Sequence, residues 1–335
     1  MKNIGIITVP FLFENYGTAM QNFALQQAIR KLGYNPITIE QVFKVPFHLF
    51  VLSTIKTILL FFIPGKRRKF FKRLAPHNKA FEKFIYQNIQ LTKPFCNCSK
   101  KIIEEYKLDA IIVGSDQIWR PKYSPYLDDT YLVFAKNNPI KKIAYAASFG
   151  VDDWEYSPRQ TTKYKKLISN FSFVSTREKS GINLCQQYLK TNAQEVVDPT
   201  LLLDVEEYLN VCKEIPIEKT KYIAAYILDM TNEKQEILEK IAKGKDLVIK
   251  IFDVDAKATL SIPKWISMFR DATYVITDSF HGTVFSIIFK KEFYCFFNKN
   301  RGNSRFQSLL EKYNSGTLDD FRKKSFDYLR NALTF

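Results

Sequence analysis

The feature that most constrains the fold is a repeated alternation of short apolar runs and helical segments. An apolar run over residues 4–9 is followed by a polar loop, by helical spacing of apolar residues over 18–32, and by a second short run over 36–40. Two short buried strands connected through a helix predict a βαβ unit, in which the strands are parallel. The start of the chain therefore predicts an α/β fold built on a parallel sheet.

The same alternation continues through the rest of the chain. Further strands are predicted at 109–114, 142–147, 171–174, 195–197, 221–228, 247–252, 274–277 and 293–297, and the C-terminal region is predicted to be helical. A chain of 335 residues is long enough for two domains of ordinary size. We predict one α/β domain over 1–165 and a second over 166–335, with the C-terminal helices in the second.

Positive charge is concentrated in one segment, an apparent insertion at about 43–75. The formal net charge is +16, and the window 41–80 holds nine Lys and Arg residues and no Asp or Glu. An apolar stretch over 47–63 precedes the basic run 66–69. As a helix it would span roughly 25 Å, which is short of the roughly 30 Å hydrocarbon core of a bilayer. It therefore predicts contact with an acidic membrane surface; the alternative is a helix packed on its own domain beside a solvated basic turn.

The compartment is predicted from the N-terminus and the cysteines. The apolar run at 4–9 is too short for a signal peptide. The five cysteines are scattered, and the spacing of Cys96 and Cys98 is too close for a structural zinc site. These features predict a cytoplasmic protein without a metal site, and the basic segment adds a peripheral position on the inner membrane face.

Four polar loops follow predicted strands or precede predicted helices. In open parallel sheets, ligands bind where strands end and helices begin. The loops contain Asn15-Tyr16-Gly17-Thr18, Ser115-Asp116-Gln117, Thr176-Arg177-Glu178 and Asp278-Ser279-Phe280-His281-Gly282. We expect the ligand to bind at this edge of the sheets.

His281 is the leading candidate for proton transfer. It lies between a predicted strand and a predicted helix, beside Ser279. A histidine there can donate a proton to a substrate. The backbone N–H groups of Gly282 and Thr283 are predicted to attract a phosphate or carboxylate at the helix N-terminus. The alternative is a capping loop in which His281 bonds only to nearby backbone.

Arg177 is the candidate anion clamp. It follows a predicted strand, and Glu178 is placed to orient it. A guanidinium group presents a planar fork to carboxylate or phosphate. The alternative is a surface ion pair between Arg177 and Glu178.

Two loops of the first domain are candidates for the acceptor side. Asn15, Gly17 and Thr18 open the first helix and can hold an anion or a sugar hydroxyl; the alternative is ordinary capping, with Thr18 and Gln21 as a capping box. Asp116 and Trp119 lie in a polar and aromatic loop that is suited to stacking on the face of a sugar ring. The alternative is that Trp119 is buried in the core and Asp116 belongs to a turn. The GxGxxG and GxxxxGK[ST] motifs are absent from the sequence, which argues against dinucleotide cofactors and triphosphate hydrolysis.

Five segments of the chain, in this order, resemble the polysaccharide pyruvyl transferase family. They are 15–25 (NYGTAMQNFAL), 113–119 (VGSDQIW), 177–178 (RE), 197–200 (VDPT) and 277–282 (TDSFHG). The resemblance implies two Rossmann-like domains facing across a cleft, as in GT-B glycosyltransferases. It implies phosphoenolpyruvate as donor, a sugar of a surface polysaccharide precursor as acceptor, and a pyruvate ketal as product. His281 and Arg177 match positions similar to the family's donor-contacting residues.

A mechanism follows from the chemistry of this donor. Protonation of the methylene carbon creates a cationic centre at C2, which a sugar hydroxyl attacks. Phosphate then leaves, and a second hydroxyl closes the ketal. We assign the acid role to His281, the anion clamp to Arg177, and binding or deprotonation of the acceptor to Asp116. The other predicted donor contacts are Ser279, Phe280, Gly282, Thr283, Arg301 and Arg305. The other predicted acceptor contacts are Asn15, Tyr16, Gly17, Thr18, Gln117 and Trp119.

The predicted partners are phosphoenolpyruvate as co-substrate and an acceptor on a diphosphate-linked lipid, without cofactor, metal or nucleic acid. Two other functions remain open at this point. A nucleotide-sugar glycosyltransferase would share the architecture, although its pockets are poorly marked in sequence. A non-catalytic membrane-surface assembly protein would account for the basic segment but not for the polar loops.

Overall fold

A computed structural model describes residues 1–11, 15–42, 78–96, 98–124, 126–252, 260–297 and 302–335. The basic segment predicted at about 43–75 and the predicted donor contact Arg301 lie outside these residues. Within the described part of the chain, none of the helices combines the length and apolar character needed to cross a membrane.

The first half of the chain forms a six-stranded sheet in which every paired strand is parallel. The strand order is β2-β1-β3-β4-β5-β6. The strands are β1 (Asn3–Ile7), β2 (Asn35–Thr38), β3 (Leu108–Val113), β4 (Lys141–Ala147), β5 (Phe173–Thr176) and β6 (Gln194–Glu195). The apolar residues of the central strands β3 and β4 are buried, as expected for a parallel sheet covered by helices on both faces.

A second parallel sheet of four strands has the order β10-β9-β7-β8. Its strands are β7 (Tyr222–Tyr226), β8 (Val248–Ile251), β9 (Tyr274–Thr277) and β10 (Glu292–Cys295). Two parallel sheets with helices between their strands confirm the predicted α/β class.

Helices connect the strands of both sheets. Before β7 they are α1 (Tyr16–Lys31), α2 (Lys79–Asn88), α3 (Lys100–Glu105), α4 (Leu127–Thr130), α5 (Pro158–Ile168), α6 (Lys179–Leu184) and α7 (Val205–Val211). In the remainder of the chain they are α8 (Asn232–Lys245), α9 (Ile262–Asp271), α10 (Phe280–Ile288), α11 (Ser304–Asn314) and α12 (Leu318–Leu333).

The first helix begins earlier than predicted. Its N-cap is Asn15, whose side chain accepts a hydrogen bond from the Thr18 backbone N–H at 3.1 Å. The capping box proposed for Thr18 and Gln21 does not form; the Gln21 side chain instead donates to the Thr8 hydroxyl at 2.6 Å. Asparagine is among the residues most favoured at this capping position.

The predicted domain boundary at 165/166 does not separate the two sheets. Strands β5 and β6 belong to the first sheet, so the division lies between Glu195 and Tyr222. The C-terminal helix α12 also returns to the first sheet, where Leu329 shares a buried core with Ile4 and the Ser325 hydroxyl accepts from the Val197 N–H. Local periodicity identifies a strand or a helix but not the sheet that it joins, which is why both assignments were wrong.

Candidate active site

The polar loops of both sheets meet in one buried cluster. Asp116 follows β3, Arg177 follows β5, and Asp198 follows β6. His281 lies in the first turn of α10, and Arg305 lies in the first turn of α11. Because the carboxyl ends of parallel strands share one edge, the fold brings together residues up to 189 positions apart (Asp116 to Arg305).

Arg177 is held by two carboxylates. Its Nη1 donates to Asp198 Oδ2 at 2.7 Å, and its Nη2 donates to Asp116 Oδ1 at 3.3 Å. Only 1% of the Arg177 side chain is exposed. The alternative of a surface ion pair is therefore wrong, since a buried guanidinium between two carboxylates forms part of an internal polar network.

Asp198 is the central residue of this cluster, although it was not among the predicted site residues. Its side chain is fully buried. Besides Arg177, it accepts hydrogen bonds from the Thr200 N–H at 3.0 Å, the Thr200 hydroxyl at 2.7 Å and the Ser115 hydroxyl at 3.2 Å. Burial favours the neutral acid, but Arg177 and His281 outweigh it and lower the pKa of Asp198. The one available signal was its position in the segment 197–200.

Asp116 is also held in its ionised form. Burial opposes the charge, but Arg177, His281 and Arg305 together lower the pKa of Asp116 to about 2. The Thr18 hydroxyl donates to its Oδ2 at 3.4 Å. A carboxylate with so low a pKa is a weak base, so this environment favours hydrogen bonding to an acceptor hydroxyl over its deprotonation.

The His281 imidazole is buried and close to Asp198. Its Nε2 lies 3.8 Å from Asp198 Oδ2, beyond hydrogen-bond distance, and makes no hydrogen bond with the described residues. Burial lowers the pKa of His281, as do Arg177 and Arg305, while Asp198 and Asp116 partly oppose them. The imidazole is therefore neutral at neutral pH in this state, with one ring nitrogen available to a ligand.

Gly17 places the first helix directly against this imidazole. A Cβ atom at this position would lie 2.1 Å from His281 Nδ1. Only glycine leaves enough room for the ring, so the start of α1 forms one wall of the site.

Two guanidinium groups flank the Phe280 ring. The guanidinium carbon of Arg177 lies 4.4 Å from the ring centroid, and that of Arg305 lies 5.6 Å from it. Arg305 Nη1 is 4.0 Å from Asp116 Oδ1. Burial and the neighbouring Arg177 lower the pKa of Arg305 to about 10, so it stays charged at neutral pH. The site thus contains two buried cations beside Phe280, of which Arg177 is paired with Asp198 and Asp116.

Glu178 does not orient Arg177 as predicted. Its Oε1 accepts hydrogen bonds from the Ser148 hydroxyl at 2.9 Å and from the N–H groups of Phe149 at 3.0 Å and Gly150 at 3.4 Å. Burial raises the pKa of Glu178. Its side chain therefore fixes the loop after β4 instead of the guanidinium.

The N-terminus of α10 differs from the predicted anion site. The Gly282 N–H donates to the Ser279 hydroxyl at 3.4 Å, and the Thr283 N–H donates to the Ser279 carbonyl at 3.0 Å. A Cβ atom on Gly282 would lie 2.2 Å from the Thr277 hydroxyl oxygen. Glycine is thus needed here to pack the helix against its own sheet, and both predicted N–H donors are used within the helix.

Tyr16 and Trp119, two of the predicted acceptor contacts, belong to the core. Trp119 is fully buried and stacks on Tyr131 with ring centroids 5.2 Å apart. Tyr16 is 4% exposed and stacks on Trp265 at 5.0 Å, and its hydroxyl accepts from the Leu260 N–H at 2.7 Å. Neither ring has a free face, which contradicts their predicted contact with a sugar.

The remaining acceptor candidates lie near Asp116. Thr18 and Gly17 contact Asp116 and His281 respectively, and Asn15 is exposed at the helix start. The Gln117 N–H donates to Asp116 Oδ1 at 2.9 Å. Within the described residues, no group of three or more His, Cys, Asp or Glu side chains is placed to hold a metal ion.

Comparison with known proteins identifies the family. The model of the family described as polysaccharide pyruvyl transferase matches residues 15–300 of the chain. The chain belongs to this family. The match spans both sheets and includes Asp116, Arg177, Asp198 and His281. No curated protein sequence matches the chain significantly.

One solved structure confirms the GT-B fold of this polysaccharide pyruvyl transferase family member. A Listeria monocytogenes protein assigned as a UDP-N-acetylglucosamine 2-epimerase aligns with a TM-score of 0.51 and 9% identity, over 98% of this chain and 90% of its own. The S. aureus MnaA–UDP structure (TM-score 0.48, 12% identity) covers 97% of this chain and 91% of its own. UDP-GlcNAc 2-epimerase from Neisseria meningitidis, bound to UDP-GlcNAc, aligns with a TM-score of 0.48 and 11% identity. The alignment covers 98% of this chain and 94% of the epimerase chain. At such identities the likeness concerns the fold alone.

Proposed function

We propose that this family member transfers pyruvate from phosphoenolpyruvate to two hydroxyls of a sugar in a surface polysaccharide precursor. The products are a pyruvate ketal and inorganic phosphate. The observation that supports this most directly is the pair of buried guanidinium groups around Phe280, beside the unbonded Nε2 of His281.

The donor carries a carboxylate and a phosphate on adjacent atoms of a small skeleton. Arg177 and Arg305 place two guanidinium groups close together, on the same Phe280 ring. Because both groups are buried, their attraction to the carboxylate and the phosphate of the donor is stronger than it would be in water. Arg177 Nε is buried and makes no hydrogen bond with the described residues, so it can donate to a bound anion. Arg301 remains a predicted contact from the sequence.

His281 would act as the acid once the donor is bound. Its imidazole is neutral in the unliganded site because burial lowers its pKa. Negative charge on the donor favours the imidazolium form, which Asp198 stabilises from 3.8 Å. The imidazolium protonates the methylene carbon, one sugar hydroxyl adds to C2, phosphate leaves, and the second hydroxyl closes the ketal. The two hydroxyl protons balance the proton taken from His281 and the one carried by the released phosphate.

The defining experiment measures phosphate release from phosphoenolpyruvate with and without a panel of aryl and lipid-linked glycosides. We expect release that depends on one acceptor, whose mass increases by pyruvate minus water. Turnover of a nucleotide sugar, without phosphate release from phosphoenolpyruvate, would instead establish glycosyl transfer.

Replacement of His281 by alanine is expected to lower kcat by about 10²- to 10⁴-fold, the usual contribution of a general acid. The KM for phosphoenolpyruvate should change much less, because Arg177 and Arg305 remain. Steady-state kinetics on the preferred acceptor measure both constants. Near-normal kcat would remove His281 from the acid role.

The pH dependence of turnover should follow the same residue. A required acid is active below its pKa, and activity is lost as the pH rises through that pKa. The pKa of His281 in the free site is lowered from its usual value of about 6.5. As the pH rises, the loss of kcat/KM should therefore have its midpoint below that pH. The decline in kcat should occur at higher pH, since the bound donor stabilises the imidazolium. Coincident profiles for kcat and kcat/KM would contradict this coupling.

The acceptor is proposed to be attached to a lipid diphosphate. Support comes from the basic run at 66–69 beside the apolar stretch at 47–63, which lie outside the described residues. Neutralising the four basic residues should weaken binding to vesicles that contain acidic lipid, and unchanged binding would count against a membrane-bound acceptor.

A further inference from the structure

A cavity of about 590 Å³ opens in the first domain, beyond the loop that carries Asp116. This volume is within the roughly 300–1,000 Å³ range of small-molecule sites. Side chains that line it include Tyr126, Asp128, Asp129, Phe134, Gln160 and Tyr164. None of the predicted site residues is among the side chains that line it.

The cavity and the catalytic cluster share one loop of the first domain. Pro121 and Ser124 form part of the cavity wall and lie only a few residues after Asp116. Arg120 holds the loop: its Nη1 donates to the Gln117 side chain at 3.1 Å, and its carbonyl accepts from the Ser124 N–H at 2.8 Å. An ion pair between Arg120 and Glu155 at 3.2 Å anchors the same turn. The cavity wall and Asp116 therefore belong to one loop, which these contacts hold in place.

The charge of the lining distinguishes the cavity from the catalytic cluster. The chain carries a net charge of +16, yet the described residues that line the cavity include two aspartates and no Lys or Arg. Asp128 Oδ1 accepts from the Tyr164 hydroxyl at 3.0 Å and from Lys163 at 2.5 Å, and Asp129 Oδ2 accepts from the Gln41 amide at 2.7 Å. These contacts fix both carboxylates at the wall. Because Lys163 already pairs with Asp128, the described lining offers no unpaired cation to a phosphate or other anion.

We propose that this cavity binds a neutral sugar residue of the acceptor, next to the sugar that receives the ketal. The proposal rests on the proposed function and deepens it. Carboxylates accept hydrogen bonds from sugar hydroxyls, and the partly exposed rings of Tyr126 and Phe134 offer apolar surface to the C–H face of a pyranose. Trp119 is fully buried and cannot contact a sugar, so Tyr126 and Phe134 would supply the aromatic surface instead. The diphosphate end of the acceptor would then lie away from the cavity.

The test compares short and extended acceptors. Tyr126→Ala and Asp128→Asn should each raise the KM for a neutral tri- or tetrasaccharide acceptor about tenfold, the effect of one charged hydrogen bond or one stacked ring. The kcat should be unchanged, and the KM for the corresponding aryl monosaccharide should stay the same. Tyr86→Ala and Asp153→Asn are matched controls, because both side chains are exposed in the same domain and neither lines the cavity. Equal effects on both acceptor lengths, or none, would overturn the proposal.

A binding experiment separates this proposal from the proposed function. Titration of the full chain with neutral gluco- and galacto-oligosaccharides of two to four residues needs no turnover. Binding that Tyr126→Ala and Asp128→Asn weaken about tenfold would support the cavity as a sugar site even if phosphoenolpyruvate is never consumed. No binding at millimolar concentration, equal binding to the variants, or tighter binding of a phosphorylated oligosaccharide would overturn it.

Discussion

Replacement of Asp198 by alanine is expected to destabilise the protein by about 3–5 kcal/mol, because it leaves the charge of Arg177 buried without its closest partner. Arg177 Nη1 lies 2.7 Å from Asp198 Oδ2, and the two side chains are 1% and 0% exposed. The Thr200 and Ser115 hydroxyls lose their acceptor in the same variant. The sum of these losses exceeds what most single substitutions cost.

Urea unfolding of the wild type and the variant measures this difference. Asp319→Asn is the control: its carboxylate pairs with Arg322 but is 80% exposed, so a change within about 0.5 kcal/mol is expected. A double variant with Arg177→Met should recover part of the loss, because it removes the unpaired charge. A loss of unfolding free energy below about 1 kcal/mol for Asp198→Ala, or no recovery in the double variant, would contradict this explanation. Asp198 would then not stabilise the protein by neutralising the buried charge of Arg177.

Replacement of Gly17 by alanine is expected to lower kcat about 100-fold. The added Cβ would lie 2.1 Å from His281 Nδ1, so the imidazole must move by about an ångström to restore normal contact. Displacement of a reacting group by about that distance commonly costs two orders of magnitude in rate. The new Cβ atom collides with the His281 imidazole, which can shift to relieve the contact, so the variant should still fold. Arg177 and Arg305 are unchanged, so it should still bind phosphoenolpyruvate.

The matched control is Gly244→Ala. Gly244 lies exposed near the end of α8, and a Cβ atom there would meet nothing within 4 Å. Alanine at such a helical position should leave kcat unchanged and stabilise the helix by up to about 1 kcal/mol. Kinetics and thermal unfolding of both variants distinguish the two glycines. Normal kcat in Gly17→Ala would show that the close contact with His281 has no role in catalysis.

The sequence alone predicted the elements and the edge of the sheets that carries the site. Short apolar runs between helical segments predicted parallel strands, since the spacing of apolar residues reflects which positions are buried locally. The polar loops after those strands predicted His281 and Arg177, and the structure brings both into one cluster.

Contacts between distant segments could not be predicted in this way. The neighbours of Asp198 come from β3, β5 and α10, and Tyr16 packs against Trp265 nearly 250 positions away. Trp119 and Tyr16 were assigned to a sugar because an aromatic residue in a polar loop has the same local pattern whether its ring is exposed or buried.

What the sequence determined by itself is the α/β class, the family motifs and the identity of the polar residues at the strand ends. The tertiary structure was needed to establish the sheet that β5, β6 and α12 join, the central position of Asp198, and the use of Gly282 for packing. The physical reason is that hydrophobic periodicity encodes burial along one element. The partners of a buried charge depend instead on how two sheets pack together, and no local pattern records that.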